Sequence, residues 1–168
     1  MMTPGKIQFA ESEGTYVLKL VGEVRLTLCA SLENVLQAMF EEPGFRSVIV
    51  DLSEAETIDS TSLGLLAKLS IMARKQIAQR PVLISPRPDI TRVLMSMGFE
   101  RIFIIVEDVT SQTCEYQDIE CEDCSEESIH ARVLDAHRTL MSLNENNQKA
   151  FSDLVKQLER CRQPEVTA

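Results

Sequence analysis

Three hydroxyls stand in a row at Ser60-Thr61-Ser62, directly after Asp59 and directly before the apolar Leu63. They fall where the run Ser47-Val48-Ile49-Val50-Asp51-Leu52 has ended and a helical pattern begins. A serine at such a junction has two chemical uses. As an N-cap, its oxygen accepts a backbone N–H from the first helical turn. As a phosphoacceptor, it gains roughly −1.5 to −2 charges and three acceptor oxygens. The free N–H groups and dipole of a helix N-terminus tolerate that charge. The fold then survives while the surface a partner reads changes sign, and Asp59 makes the patch more negative still. Ser60 is the leading acceptor, with Thr61 and Ser62 as further hydroxyls in the same turn. Gly64 lies inside the helical pattern, where it costs about 1 kcal/mol relative to alanine. It either admits the close approach of another backbone or is neutral.

Other residues capable of chemistry lie further along. Cys114, Cys121 and Cys124, with His130 and His137, raise the question of a metal, because Cys121-x-x-Cys124 is a familiar ligand spacing. The remaining donors form no recognised pattern, so free thiols, with no metal and no cofactor, are the expectation. A redox pair at Cys121 and Cys124 is disfavoured by the surrounding carboxylates, which raise thiol pKa values. Asp51 and Asp59 could be imagined as an acid pair, yet a strand-end aspartate is ordinarily a turn or cap residue. No phosphate-binding glycine loop with lysine is present. Both histidines lie in the C-terminal part, so a Ser-His nucleophilic pair requires that part to fold back over the hydroxyl run. No catalytic residue is assigned, and the chain is not expected to be an enzyme.

Strand and helix signals alternate through residues 1–110. Ile7-Gln8-Phe9 reads as a short strand, expected at an antiparallel edge, and Glu13-Gly14 as a turn. Tyr16 to Val21 reads as a strand ended by Gly22-Glu23. Leu28, Leu32, Val35, Leu36 and Met39 make a helical stripe between Thr27 and Phe40. After the break at Pro43-Gly44, Ser47 to Leu52 carries the uninterrupted apolar run of a strand covered on both faces. Ser60 to Arg80 is the next helix, Val82 to Ser85 a strand, Asp89 to Met97 a short helix with Gly98 as its terminal cap, and Arg101 to Val106 the last strand. This alternation predicts a small α/β domain: a mixed, mostly parallel sheet with helices packed on one face.

Residues 111–168 differ in character. Seven carboxylates and no Lys or Arg fall between Glu115 and Glu127, which predicts a loose, solvated linker over 111–127. A C-terminal helical extension over 128–168 follows. Ile129, Val133, Ala136, Leu140 and Leu143 form one amphipathic stripe, and Phe151, Leu154, Val155 and Leu158 a second, on either side of Asn144-Glu145-Asn146-Asn147. A helical hairpin and one long broken helix fit equally well. The stripes need a surface to cover them: the domain itself, a second copy, or another protein.

Composition narrows the function classes. The 168 residues carry a formal charge of −9, a poor match for nucleic acid or anionic lipid. Trp is absent and aromatics are 5% of the chain, which disfavours binding by stacking. No apolar run is long enough to span a bilayer, and the start lacks the apolar core of a signal peptide. Five cysteines, an odd number, argue against a disulfide framework. Cytoplasmic residence is expected, without nucleic acid or membrane insertion.

Asp59-Ser60-Thr61-Ser62-Leu63-Gly64 resembles the Asp-Ser-Ser/Thr-Gly-Leu-Gly signature of STAS domains, specifically the bacterial anti-sigma factor antagonists. Leu20-Val21-Gly22-Glu23-Val24 is similar to the family's Leu-x-Gly-Glu-Leu. Val48 to Leu52 resembles its central strand, and Ile84-Ser85-Pro86 and Leu94-Met95-Ser96-Met97-Gly98-Phe99 its later segments. The resemblance covers roughly residues 5–108. It implies phosphorylation of Ser60 by an anti-sigma factor with serine kinase activity, binding of that anti-sigma factor by the unphosphorylated form, and reversal by a PP2C-like phosphatase. It further implies a contact face of Asp59, Thr61, Ser62, Gly64, Glu23 and Arg25. Two departures stand out. Ser62 replaces a glycine, and Arg25 sits where relatives carry acidic or small residues, either to pair with a phosphate on Ser60 or to be solvated. The alternative within the same resemblance is a STAS scaffold, or an accessory subunit of a signalling or transport complex, forming a homodimer through the C-terminal helices.

Overall fold

The computed structural model describes residues 3–108, 115–120 and 125–162. β1 (Lys6–Ser12) and β2 (Thr15–Val24) form an antiparallel hairpin. Glu13 and Gly14 turn it with φ of 51° and 86°, the positive φ pair that matches the twist of the flanking strands. α1 (Cys29–Glu41) leads to β3 (Ser47–Asp51), which runs parallel to β2. β4 (Ala55–Ile58) and α2 (Ser60–Ile77) follow, then β5 (Val82–Ile84), α3 (Pro88–Ser96) and β6 (Ile104–Val106). β5 is parallel to β3, and β6 to β5. A last strand, β7 (Gln117–Ile119), pairs antiparallel with β1.

The seven-stranded sheet has the order β6-β5-β3-β2-β1-β7, with β4 pairing the outgoing end of β2. It is mixed and mostly parallel, with helices on one face and a C-terminal helical extension, as the strand–helix alternation predicts. Alternate β2 residues Leu18, Leu20 and Val24 are buried, and so are Val48 and Val50 of β3 and Leu83 of β5. Leu32, Leu36, Leu63, Leu66 and Leu69 belong to the same core.

Four details depart from the sequence pattern. β1 is not the edge, because β7 lies outside it. Gly22 does not end β2 but bends it: with φ +74° and a register shift between Gly22 and Glu23, the strand continues to Val24 through a bulge. The last strand of the parallel run is shorter than Arg101 to Val106, because Phe99–Arg101 winds into a 3-10 turn behind Gly98. Within the stretch expected to be a loose linker, Gln117–Ile119 is paired sheet.

The extension is a hairpin of α4 (Glu126–Met141) and α5 (Glu145–Arg162). Ser125 caps α4, accepting from the Ser128 N–H at 3.2 Å. Asn144 stops the pair from merging, accepting the Asn147 N–H at 2.8 Å. The surface that covers the stripes is the domain itself: α4 lies along α2 and α5 along α4, and Leu134, Leu140 and Val155 are buried.

Candidate functional site

The hydroxyl run is positioned by its neighbours on three sides. The bulge at Gly22 brings the end of β2 beside β4, and the Asp59 N–H donates to the Val24 carbonyl at 3.0 Å. Asp59, not Ser60, caps α2. Its Oδ1 accepts the Ser62 N–H at 2.8 Å and its Oδ2 accepts the Leu26 N–H at 2.7 Å. One carboxylate therefore satisfies a helix-end donor and clamps the loop after β2 against the start of α2. Asp51 serves a turn, accepting the Ser53 N–H at 2.8 Å, so the two aspartates do not form an acid pair.

Ser60 is the first residue of α2 and half-buried. With capping done by Asp59, its side chain is free for another partner. That partner is His137 of α4, whose Nε2 lies 2.8 Å from Ser60 Oγ. The other ring nitrogen fixes the polarity. His137 Nδ1 is 2.6 Å from the Val133 carbonyl, which can only accept. In the neutral ring the proton is on Nδ1 and the lone pair on Nε2, so the Ser60 hydroxyl donates. The ring is 2% exposed and meets the edge of Phe151 with centroids 5.2 Å apart. The C-terminal part has thus folded back, as a Ser-His pair requires. The pair has the order of a nucleophile and its base, but the crevice between α2 and α4, lined by Thr61, Gly64 and Ala136 among others, offers about 10 Å³. That is scarcely room for one water.

Thr61 and Ser62 are buried, 5% and 1% exposed. Ser62 Oγ lies 3.7 Å from the Cys29 thiol, so the side chain that replaces the family's glycine is packed inward. Gly64 has a clear role in this arrangement. A Cβ there would come within 2.6 Å of the Ala136 carbonyl carbon and Cβ, so the missing side chain is what lets α4 cross at this distance. Arg25 is exposed and bonded to Glu23 at 2.9 Å. Leu26 beside it is 36% exposed. The open part of the site therefore comprises Glu23, Arg25, Leu26, Asp59 and Ser60, while Thr61, Ser62 and Gly64 lie inside.

Charged pairs run along the α2–α4 seam. Lys68 Nζ reaches Asp135 at 2.9 Å and Glu33 at 3.3 Å, and Arg132 reaches Glu33 at 2.8 Å. Partial burial pulls the Lys68 pKa down, but its bonds to Asp135 and Glu33 outweigh that and leave it raised. His130 Nε2 lies 2.8 Å from the Leu158 carbonyl on α5. Both histidines are thus spent on helix packing. Among the described residues no group of three or more His, Cys, Asp or Glu is placed to hold a metal. Cys114, Cys121 and Cys124 lie outside the described residues. No helix among the described residues is long and apolar enough to cross a membrane.

A sheet of this order, with a serine on the first turn of the helix after β4 and an aspartate capping that helix, defines a class. Residues 6–112 match the STAS domain family, and the chain belongs to it. No curated protein matches the chain. Among solved structures, it is similar to the Bacillus cell fate determinant SpoIIAA in the phosphorylated form, with 17% identity over 61% of this chain and 92% of that one and a TM-score of 0.51. It is likewise similar to the anti-sigma factor antagonist SpoIIAA in its unphosphorylated form, with 17% identity over 61% and 89% and a TM-score of 0.54. At this identity the likeness is one of fold. His137 is not among the site residues expected from the sequence, because nothing in the residue pattern announces that α4 lands on α2.

Proposed function

We propose that the chain is an anti-sigma factor antagonist, a protein-binding switch controlled by phosphate on Ser60. The observation that carries this reading is the half-exposed Ser60 hydroxyl on the first turn of α2, relieved of capping by Asp59. The similarity to SpoIIAA, whose structures are described as phosphorylated and unphosphorylated, supports it. The kinase would be an anti-sigma factor. The Ser60 oxygen forms a bond to the γ-phosphorus of a nucleoside triphosphate, the bond to the diphosphate leaving group breaks, and the hydroxyl proton is released. A PP2C-like phosphatase would return the serine by hydrolysis.

Unmodified, the chain would hold the anti-sigma factor on Glu23, Arg25, Asp59 and Ser60. A partner that also touches Thr61, Ser62 and Gly64 must take the place of α4. A dianion next to Asp59 would make this face repel an acidic or closely packed partner. The alternative, a scaffold that dimerises through residues 128–160, has less support, because most of the apolar stripes of α4 and α5 is covered within one chain, Leu154 being the exposed exception.

The test is titration calorimetry of the wild type and Ser60→Asp against the anti-sigma factor that the wild type captures. The substitution is expected to weaken binding tenfold or more, equivalent to about 1.4 kcal/mol. Equal affinities would overturn the reading.

A further inference from the structure

The site is covered from above by the chain's own hairpin, and three observations bear on what a phosphoryl group would do to that cover. The contact at its centre depends on a proton. With the ring neutral, Ser60 donates to a lone pair on His137 Nε2, because Nδ1 is committed to Val133. A phosphoserine ester oxygen has no proton to give, and its phosphate turns acceptor oxygens toward that lone pair. Room is the second point. His137 is 2% exposed and its Nε2 is in direct hydrogen-bond contact with Oγ, so no space lies between the two for a phosphoryl group. Slack is the third. α4 is seated on Gly64 so closely that a single added carbon would meet Ala136, so the helix makes room only by moving away. In polar terms it would lose the Lys68–Asp135 and Arg132–Glu33 pairs, which are partly exposed and contribute little, and the buried bond from Asn147 to the Met97 carbonyl.

We propose that the α4–α5 hairpin is a phosphate-sensitive cover of the α2 face, docked through His137 onto unmodified Ser60 and expelled by a phosphoryl group there. The proposal rests on the reading of Ser60 as the acceptor. It adds a second output to the modification. Besides the charge placed on the first turn of α2, phosphate frees an amphipathic hairpin and uncovers Thr61, Gly64 and Leu65.

The experiment is hydrogen exchange on the full chain with phosphoserine installed at position 60 by codon reassignment, so that no kinase is needed. Amides of α4 between residues 129 and 141 are expected to exchange at least tenfold faster than in the unmodified chain, with β2 and β3 still protected. Ser60→Ala removes the hydrogen bond without adding bulk or charge, and should speed α4 exchange by less than phosphoserine does; an equal or larger effect would show that the lost bond, not the phosphoryl group, frees the hairpin. Gly64→Val should free α4 without any phosphate. Unchanged or slower α4 exchange in the phosphoserine chain would mean that an imidazolium holds the phosphate under a docked hairpin, which overturns the proposal. Loss of protection across β2 and β3 would overturn it too, since the domain rather than the cover would have opened. Failure of the acceptor reading shows separately, as protein isolated from cells without phosphate on Ser60.

Discussion

Asp59 holds two backbone donors that belong to different segments, the Ser62 N–H of α2 and the Leu26 N–H of the loop after β2. Replacing it with alanine strips the cap and the clamp together. Loss of a cap alone costs about 0.5–2 kcal/mol, so Asp59→Ala should lower stability by about 2 kcal/mol in urea denaturation, with the slope unchanged. A loss below about 0.5 kcal/mol would show that water replaces the carboxylate without penalty. Cys29 makes a second prediction at this scale. Burial, its leading influence, raises the thiol pKa to about 11. At pH 8 only about one thiol in a thousand is then the reactive thiolate, and the fraction grows as pH approaches the pKa. Iodoacetamide at pH 8 should leave Cys29 unmodified in the native chain while labelling the exposed Cys161, as read by peptide mass spectrometry. Equal labelling would show that the α1–α2 contact opens freely.

Elements with a strong apolar period were legible, and weak ones were not. Leu28, Leu32, Leu36 and Met39 announce α1 because that stripe is buried. The run Val48-Ile49-Val50 announces β3, but only Val48 and Val50 are buried and Ile49 is half-buried, so β3 is not covered on both faces as the unbroken apolar run predicts. β4 escaped notice because Ala55-Glu56-Thr57-Ile58 has one buried residue and exists by pairing with the far side of the Gly22 bulge. β7 escaped for a related reason. Its Gln117-Asp118-Ile119 lies in an acidic run, and its register comes from β1, reinforced by the Gln8–Asp118 side-chain bond at 2.7 Å. The signature at Asp59–Gly64 located the site, but the partner that contacts Ser60 lies 77 residues away, and such a contact is a property of helix packing. The hairpin's seat can be tested at Asn147, which is 2% exposed. Its Nδ2 donates to the Met97 and Leu140 carbonyls, both at 2.9 Å, tying α5 to the end of α3 and to α4. Asn147→Ala removes both bonds, while the Met97 carbonyl keeps the Asn144 Nδ2 donor and the Leu140 carbonyl the Leu143 N–H, so the cost is that of two hydrogen bonds, about 1–3 kcal/mol. The loss should appear in α4 and α5 exchange before it appears in β3. A uniform loss would mean that hairpin and sheet open as one unit.

At the scale of the whole molecule, two layers with different claims on stability are stacked on the sheet. The first consists of the helices that follow the strands, whose residues Leu32, Leu36, Leu63, Leu66, Leu69 and Leu94 fill the space above β2, β3 and β5. The second is the hairpin, which rests mainly on α2. Chains similar to the first layer and the sheet are matched over about nine-tenths of their own length by 61% of this one, so the fold closes without a counterpart to α4 and α5. Removing residues 111–168 takes away β7, Leu134 and Leu140, but leaves the sheet from β6 to β1 and its first layer. The truncated chain should therefore unfold in one cooperative transition at a lower temperature than the full chain. It should also bind a hydrophobic dye more strongly, because Leu65 and Gly64 lose their cover. Calorimetry with a parallel dye titration checks both. A truncated chain that melts without cooperativity would make α4 part of the founding core, and a cover so placed could not leave its seat in response to phosphate without taking the domain with it.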